Sequence, residues 1–166
     1  MNEPEKTSNP IPEVVREAGV EDAEAVHALA GELAEALGDR RPRLEAIRER
    51  LRELVKERRA RVLVAEGEDG IVGAASLWIK PDLGHGDTVI EVPMLVVSEK
   101  ARRRGVGKLL VQEIRGVAAA ENVSLIELVA TRENSAARDF YRSLGFVETD
   151  HVALEYFGEM ETTWEE

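Results

Sequence analysis

The fold is decided by residues 95–110, which read LVVSEKARRRGVGKLL. An apolar run typical of a buried strand leads into a basic loop with two glycines, and apolar residues at helical spacing follow. Because Gly105 and Gly107 have no side chains, a phosphate could approach the N–H groups that the first helical turn leaves unpaired. The helix dipole and the neighbouring arginines favour negative charge there. The stretch indicates either an anion-binding helix start or only a tight connection.

The same letters exclude two familiar phosphate loops. The dinucleotide fingerprint would need a glycine where Leu110 stands. A P-loop would need a lysine followed by serine or threonine, after a glycine five residues earlier. An anion at this loop must therefore be held in another way.

Around this stretch the periodicity of the chain alternates between strand and helix. The predicted order is β, α, α, β, β, β, α, β, α, β, with hairpin loops at 66–70 and 81–87. This order predicts an α/β fold with a central mixed sheet that carries helices, rather than a repeating βαβ array. The predicted elements are a strand at 13–18, helices near 22–37 and 44–55, strands near 61–65, 71–79 and 89–97, a helix at 104–120, a strand at 124–130, a helix at 134–144 and a last strand between 146 and 157.

The length of 166 residues favours one domain. We expect a flexible tail at 1–12, a single folded domain at 13–158 and an acidic tail at 159–166. No apolar run is long enough to cross a bilayer, and the polar first residues do not resemble a signal peptide. The sequence therefore predicts a cytoplasmic protein that does not bind or span a membrane.

Composition narrows the chemistry. The chain has no cysteine and only three histidines, which lack ligand spacing, so we expect no metal site. The net charge of −11 argues against nucleic acid as a partner. The ten Lys or Arg between residues 40 and 61 are interleaved with acids, as on a solvated amphipathic helix. The acidity either attracts a cationic substrate or serves only solubility.

A second informative segment spans residues 134–146, which read NSAARDFYRSLGF. Asn134 is a good N-cap, and Gly145 ends the predicted helix. Tyr141 shares one helical face with Ala137 and Phe140, so its phenol points inward. Taken alone, Tyr141 could equally be a packed core aromatic.

Together the two segments resemble the GCN5-related N-acetyltransferase (GNAT) family. The pattern R-x-x-G-x-G at 102–107 resembles its pyrophosphate loop, and N-x-x-A-x-x-F-Y-x-x-x-G-F at 134–146 resembles the following helix. The resemblance covers nearly all of the chain after residue 13. It implies an acyl-CoA N-acyltransferase fold, with a mostly antiparallel mixed sheet, fourth and fifth strands that splay apart, and helices on both faces. It also implies acetyl-CoA as co-substrate and an amine as acceptor.

By this resemblance, the pantetheine arm lies between the splayed strands and the pyrophosphate lies at the loop. Asn134 and Ala137 would line the other side of the cofactor. The residues implied to bind the cofactor at the strand and loop are Leu95, Val96, Val97, Arg102, Arg103, Arg104, Gly105, Val106, Gly107 and Lys108.

Two residues are candidates for the catalytic steps. An amine of lysine type has a pKa of about 10.4 and must lose a proton before it attacks. Glu91 stands where histone-acetylating relatives place a base glutamate, although it could be an ordinary exposed strand residue. Tyr141 is a candidate acid for the departing thiolate, with packing against the cofactor as the alternative. We leave Trp78 and the loop 80–87 outside the predicted site, because an aromatic in a strand is usually core.

The resemblance leaves the acceptor open among a protein lysine, a protein N-terminus, a polyamine, an aminoglycoside and other small amines. A homodimer also stays open. The alternative to an enzyme is a catalytically silent acyl-CoA-binding sensor or interaction domain built on the same fold.

Overall fold

The computed structural model describes residues 12–159 of the chain. The predicted N-terminal tail and the acidic C-terminal tail lie almost wholly outside these residues. The described elements are β1 Val14–Glu17, α1 Ala23–Leu37, α2 Leu44–Leu54, β2 Ala60–Gly67, β3 Gly70–Asp82, β4 Asp87–Val97, α3 Val106–Ala120, β5 Leu125–Leu128 and α4 Ser135–Ser143. Short 3-10 turns at Val20–Asp22 and Glu99–Ala101 precede α1 and α3.

The strands form one mixed sheet in the order β1-β2-β3-β4-β5. The first three pairings are antiparallel, and β5 joins β4 in parallel. The predicted α/β fold with a mixed, mostly antiparallel sheet is confirmed. The predicted element order is also confirmed as far as α4.

Helices cover both faces of this sheet. On one face, Leu110 and Ile114 of α3 pack with the strand residues Leu77 and Ile90 in the larger core cluster. On the other face, Val26 and Leu29 of α1 belong to a second cluster that includes strand residues of β2, β3 and β4. The expectation of helices on both faces is confirmed.

The turn into α1 is fixed by a buried carboxylate. Asp22 accepts hydrogen bonds from both terminal nitrogens of Arg16, at 2.8 and 3.0 Å, and from the N–H of Gly19 at 2.8 Å. These donors stabilise the charged form and hold the pKa of Asp22 below its usual range. The bonds tie the start of α1 to β1.

Strand β4 contains a bulge at the point where it parts from β5. Ser76 of β3 opposes Met94, whereas Trp78 opposes Glu91, so Val92 and Pro93 of β4 together face a single residue of β3. Proline cannot donate to a ladder and commonly occupies such a bulge. The β4–β5 pairing ends at Val92 and Leu128, while β4 continues to Val97. The splay of the fourth and fifth strands is therefore present.

The predicted last strand is wrong for the described chain. Residues 146–159 have no regular secondary structure, and every residue from 147 to 159 is exposed. Glu148 instead bonds to Arg138 and Arg142 on the surface of α4. The β-branched and aromatic residues of the segment favour a strand, but a strand forms only when a partner edge pairs with it.

Candidate functional site

The loop after β4 is anchored to two other elements. The N–H of Ser98 donates to the carbonyl of Val72 at 2.8 Å. The carboxylate of Glu32, on α1, accepts from the Ser98 hydroxyl at 3.2 Å and from the N–H of Glu99 at 3.3 Å. The loop therefore enters α3 from a position fixed by the sheet and by α1.

No side chain within residues 12–159 caps the start of α3. Gly105 is the N-cap residue, its φ is 78°, and no side chain bonds to the first turn. The first helical bond runs from the N–H of Leu109 to the carbonyl of Gly105 at 3.0 Å. The N–H groups of Val106, Gly107 and Lys108 therefore have no acceptor within the helix, as expected at a helix start that can bind an anion.

The basic side chains of the loop differ in whether they form an ion pair within the protein. Arg102, Arg103 and Lys108 are exposed and form no ion pair within residues 12–159. Arg104 instead reaches Glu13 at the start of the chain's first strand, with 3.0 Å between Nη2 and Oε1. An anion at the loop could therefore contact Arg102, Arg103 and Lys108 directly. Arg104 could contact it only after breaking its ion pair with Glu13.

Gly107 has a packing role that the sequence reading did not assign. It is buried, and a β-carbon built on it would lie 2.9 Å from Cζ of Phe140. The missing side chain thus makes room for an α4 ring at the start of α3. Gly105 is different, because it has nothing within 4 Å but needs a positive φ.

Phe140, which faces this helix start, also packs against Tyr141. The rings of Phe140 and Tyr141 have centroids 5.3 Å apart, and Phe146 contacts Tyr141 edge-on at 5.6 Å. Burial raises the pKa of the Tyr141 phenol above its ordinary value, so the hydroxyl stays protonated at neutral pH. Within residues 12–159 no protein group bonds to that hydroxyl, as a proton donor to a ligand requires.

The strand residues implied to contact the cofactor lie beyond the bulge. Leu95, Val96 and Val97 pair with β3 on one side. Their other backbone edge has no strand partner among the described residues, because β5 ends at the bulge. Backbone groups on that edge are available to an extended ligand.

Asn134 and Ala137 are hydrogen-bonded to each other. The side-chain oxygen of Asn134 accepts the N–H of Ala137 at 3.1 Å and so caps α4. The predicted N-cap is present. A cofactor contact by these two residues stays a prediction.

Glu91 lies on the α1 face of the sheet, directly beside the bulge. Its carboxylate pairs with the ammonium of Lys80 on β3, and its side chain is 45% exposed. The bond to Glu91 raises the pKa of Lys80. Glu127 lies beside Glu91 in the parallel register, so two glutamates occupy neighbouring positions on this face of the sheet. No hydrogen bond joins Glu91 to Tyr141 in the described part of the chain.

The expectation that Trp78 is core is wrong. Trp78 is 37% exposed and directly opposes Glu91. Its neighbours Leu77 and Ile79 are buried, so the two-residue period of β3 places Trp78 on the opposite face. That alternation was the signal that could have placed it beside the candidate base.

The hairpin loop near Trp78 carries a second polar pair. His85 bonds to Asp82, and this contact raises the pKa of the imidazole and lowers that of the carboxyl. Across residues 12–159, no group of three potential metal-ligating side chains is close enough to hold an ion. No helix in that range is both long and apolar enough to span a membrane.

Comparison with known proteins agrees with this geometry. The model of the acetyltransferase (GNAT) domain family matches residues 58–148, which are more than half of the chain. The chain belongs to this family. The matched part includes the bulged strand, the loop 102–108 and α4.

Individual relatives are more distant. The mycothiol acetyltransferase of Beutenbergia cavernae is 36% identical over 85 residues, which are 51% of this chain and 27% of that protein. The chain thus matches about a quarter of that relative.

Solved structures share the fold over most of the chain. A transcriptional regulator from Bacillus halodurans C-125 superposes with a TM-score of 0.78 at 22% identity, covering 88% of this chain and 99% of that one. The aminoglycoside N-acetyltransferase AAC(6')-Iy, solved in complex with CoA, also gives 0.78, at 18% identity and with 91% and 98% coverage. At these identities the likeness concerns the fold alone.

Proposed function

We propose that the chain is an acetyl-CoA-dependent N-acetyltransferase that transfers the acetyl group directly to a primary amine. One observation carries the proposal: β4 bulges, parts from β5 and leads through the basic loop into the uncapped start of α3. We call this stretch the candidate cleft. In this proposal the catalytic domain comprises residues 13–158 and works in the cytoplasm.

The cleft suits acetyl-CoA by its chemistry. The loop residues from Arg102 to Lys108 would hold the pyrophosphate through backbone N–H groups and cationic side chains. The free edge of Leu95, Val96 and Val97 would pair with the pantetheine amides.

Two side chains supply the proton transfers. Glu91 takes a proton from the acceptor ammonium, and the neutral amine then attacks the thioester carbon. The C–N bond forms, the C–S bond breaks, and the Tyr141 hydroxyl protonates the departing thiolate. The attacking nitrogen then gives up its second proton, which restores the Tyr141 hydroxyl through solvent, and the proton held by Glu91 leaves to solvent. Lys80 already shows that Glu91 can hold an ammonium, so an acceptor amine would compete with Lys80 for the same carboxylate.

The surroundings of Glu91 support a cationic acceptor. Asp82 and Glu127 add negative charge near it, and both raise the pKa of Lys80. Trp78 presents an exposed ring opposite Glu91, where a cation could stack on it. The net charge of −11 adds a field of the same sign.

An acceptor screen tests the proposal. Release of free CoA thiol is followed with polyamines, lysine peptides, an aminoglycoside, peptides with N-terminal alanine and a mycothiol precursor. The last three are included because the matched proteins carry the names aminoglycoside N-acetyltransferase, ribosomal-protein-alanine N-acetyltransferase and mycothiol acetyltransferase. Turnover on at least one amine supports the enzyme. Binding of acetyl-CoA without turnover on any amine would favour the silent sensor instead.

The role of Glu91 is tested with the best acceptor found. Glu91→Gln should lower turnover at neutral pH, and the deficit should shrink as rising pH frees the amine unaided. Glu66→Gln is the matched control, because Glu66 is also a strand glutamate, is 47% exposed and pairs with Arg16. A deficit that stays constant with pH would assign Glu91 to substrate binding or structure.

A further inference from the structure

Lys80, on β3, differs from the other lysines of the described chain in the partner of its ammonium group. Residues 12–159 contain four lysines, namely Lys56, Lys80, Lys100 and Lys108. Of these four, only Lys80 forms an ion pair, and its partner is the carboxylate of Glu91, the candidate base. The other three are exposed, and they lie directly after α2, in the turn after β4 and in the first turn of α3.

The sheet brings this ammonium to the part of the candidate cleft that the reaction would use. Lys80 opposes Val89, which lies two residues before Glu91 on the same face of β4. Glu91 is followed at once by the bulge residues Val92 and Pro93, where β4 parts from β5. Lys80 thus occupies the place that the proposed mechanism gives to the ammonium of the acceptor.

The carboxylates around Lys80 hold its amine in the protonated form. The bond to Glu91 raises the pKa of Lys80, and the charges of Glu127 and Asp82 act in the same direction. Attack by this amine therefore requires Glu91 to take a proton, as it does for an external acceptor. The tether to β3 favours the reaction, because this amine does not have to be bound from solution. The Lys80 side chain is 46% exposed, so packing does not lock it in place.

We propose that Lys80 is itself an acetylation site, modified by the acetyl-CoA in the cleft of its own chain. This inference rests on the proposed function. Glu91 takes a proton from the ammonium, Nζ attacks the thioester carbon, the C–N bond forms and the C–S bond breaks. Tyr141 protonates the thiolate, and the second proton of the nitrogen restores the Tyr141 hydroxyl through solvent. The products are acetyl-lysine at position 80, free CoA and the proton that Glu91 gives to solvent.

The modification should also depend on external amines. An acceptor ammonium and the Lys80 ammonium need the same carboxylate, so a good acceptor should slow the acetylation of Lys80. Once acetylated, Lys80 has no charge and no longer competes for Glu91.

Peptide mass spectrometry tests the proposal. The full chain, taken from the fraction whose intact mass shows no acetyl group, is incubated with saturating acetyl-CoA that carries a labelled acetyl group. No amine is added. Lys80 should be labelled several-fold faster than Lys56, Lys100 and Lys108. Its fractional rate should not change when the protein is diluted, because the reaction occurs within one chain.

Three variants assign the label. Lys80→Arg keeps a cation opposite Glu91 and should remove the label at this position. Lys56→Arg is the matched control, because Lys56 is an exposed lysine outside the candidate cleft, and Lys80 should be labelled in it as in wild type. Glu91→Gln should suppress the labelling of Lys80 at neutral pH while the slow labelling of the other lysines continues.

The outcomes separate this inference from the proposed function. Equal labelling of all exposed lysines, or a Lys80 rate that falls as the protein is diluted, would overturn the inference. If the chain acetylates an external amine but leaves Lys80 unlabelled, the inference fails and the proposed function stands. If neither an external amine nor Lys80 receives the acetyl group, the proposed function fails as well.

Discussion

The helices α3 and α4 both follow a strand of the sheet, yet they are built in opposite ways. Six residues of α3 are buried, and none of α4 is. The start of α3 has no side-chain cap, whereas Asn134 caps α4. A helix held by the core can leave its first N–H groups free for a ligand. A helix held by its cap, ring contacts and surface ion pairs can instead position one side chain, Tyr141.

The largest change in stability should come from a substitution in α3, the helix that the core holds. Leu110→Ala should lower the free energy of unfolding by about 2–5 kcal/mol, because Leu110 is fully buried between α3 and the sheet. Denaturant unfolding measures the change. Leu83→Ala, at a fully exposed leucine, should stay within about 0.5 kcal/mol of wild type. Equal losses in the two variants would show that α3 is not held by burial.

The next effect concerns the side chain that α4 presents. Tyr141→Phe should lower both kcat and kcat/KM by about 10² or more, because the hydroxyl is needed only as the C–S bond breaks. Acetyl-CoA affinity and stability should be retained, since the ring still packs against Phe140 and Phe146. Steady-state kinetics at saturating acetyl-CoA give the result.

The other tyrosine of the chain is the control for that experiment. Tyr156 is 94% exposed in the irregular segment 146–159, and Tyr156→Phe should turn over like wild type. Wild-type turnover in Tyr141→Phe would leave Tyr141 as a packing residue and make solvent the proton source.

The smallest effect concerns the cap itself. Asn134→Ala should destabilise α4 by about 1 kcal/mol, because the N–H of Ala137 loses its acceptor. Hydrogen exchange at the first α4 amides should quicken several-fold, whereas exchange in α3 should not change. Asn134→Asp should restore protection, since aspartate caps equally well. Unchanged exchange in the alanine variant would mean that α4 is held in some other way.

The sequence predicted the parts of the fold that depend on local patterns. Gly38 ends α1 with a φ of 72°, Asn134 caps α4, and both expected hairpins are present. The motifs at 102–107 and 134–146 also identified the family. Local periodicity is sufficient for such features, because each depends on residues only a few positions apart.

Features that depend on distant partners were not predictable. The last strand was predicted from residue types alone, but a strand forms only through pairing with a distant edge, and residues 146–159 are unpaired. The ion pair between Arg104 and Glu13 joins residues far apart in sequence. So does the packing of the Phe140 ring against Gly107. Trp78 was assigned to the core because of its residue type. Its position in the alternation of β3 instead places it on the face opposite to the buried Leu77 and Ile79.

Calorimetric titration of acetyl-CoA into two glutamate variants tests the central claim, that the uncapped start of α3 holds the phosphates. Gly105 and Gly70 both have positive φ, 78° and 95°, and both have nothing within 4 Å of an added β-carbon. Gly105→Glu and Gly70→Glu therefore add the same charge and a similar backbone strain, but only Gly105 lies at the start of α3. Gly105→Glu should abolish binding, while Gly70→Glu should bind like wild type. Unchanged affinity in folded Gly105→Glu, or equal losses in both variants, would contradict the account.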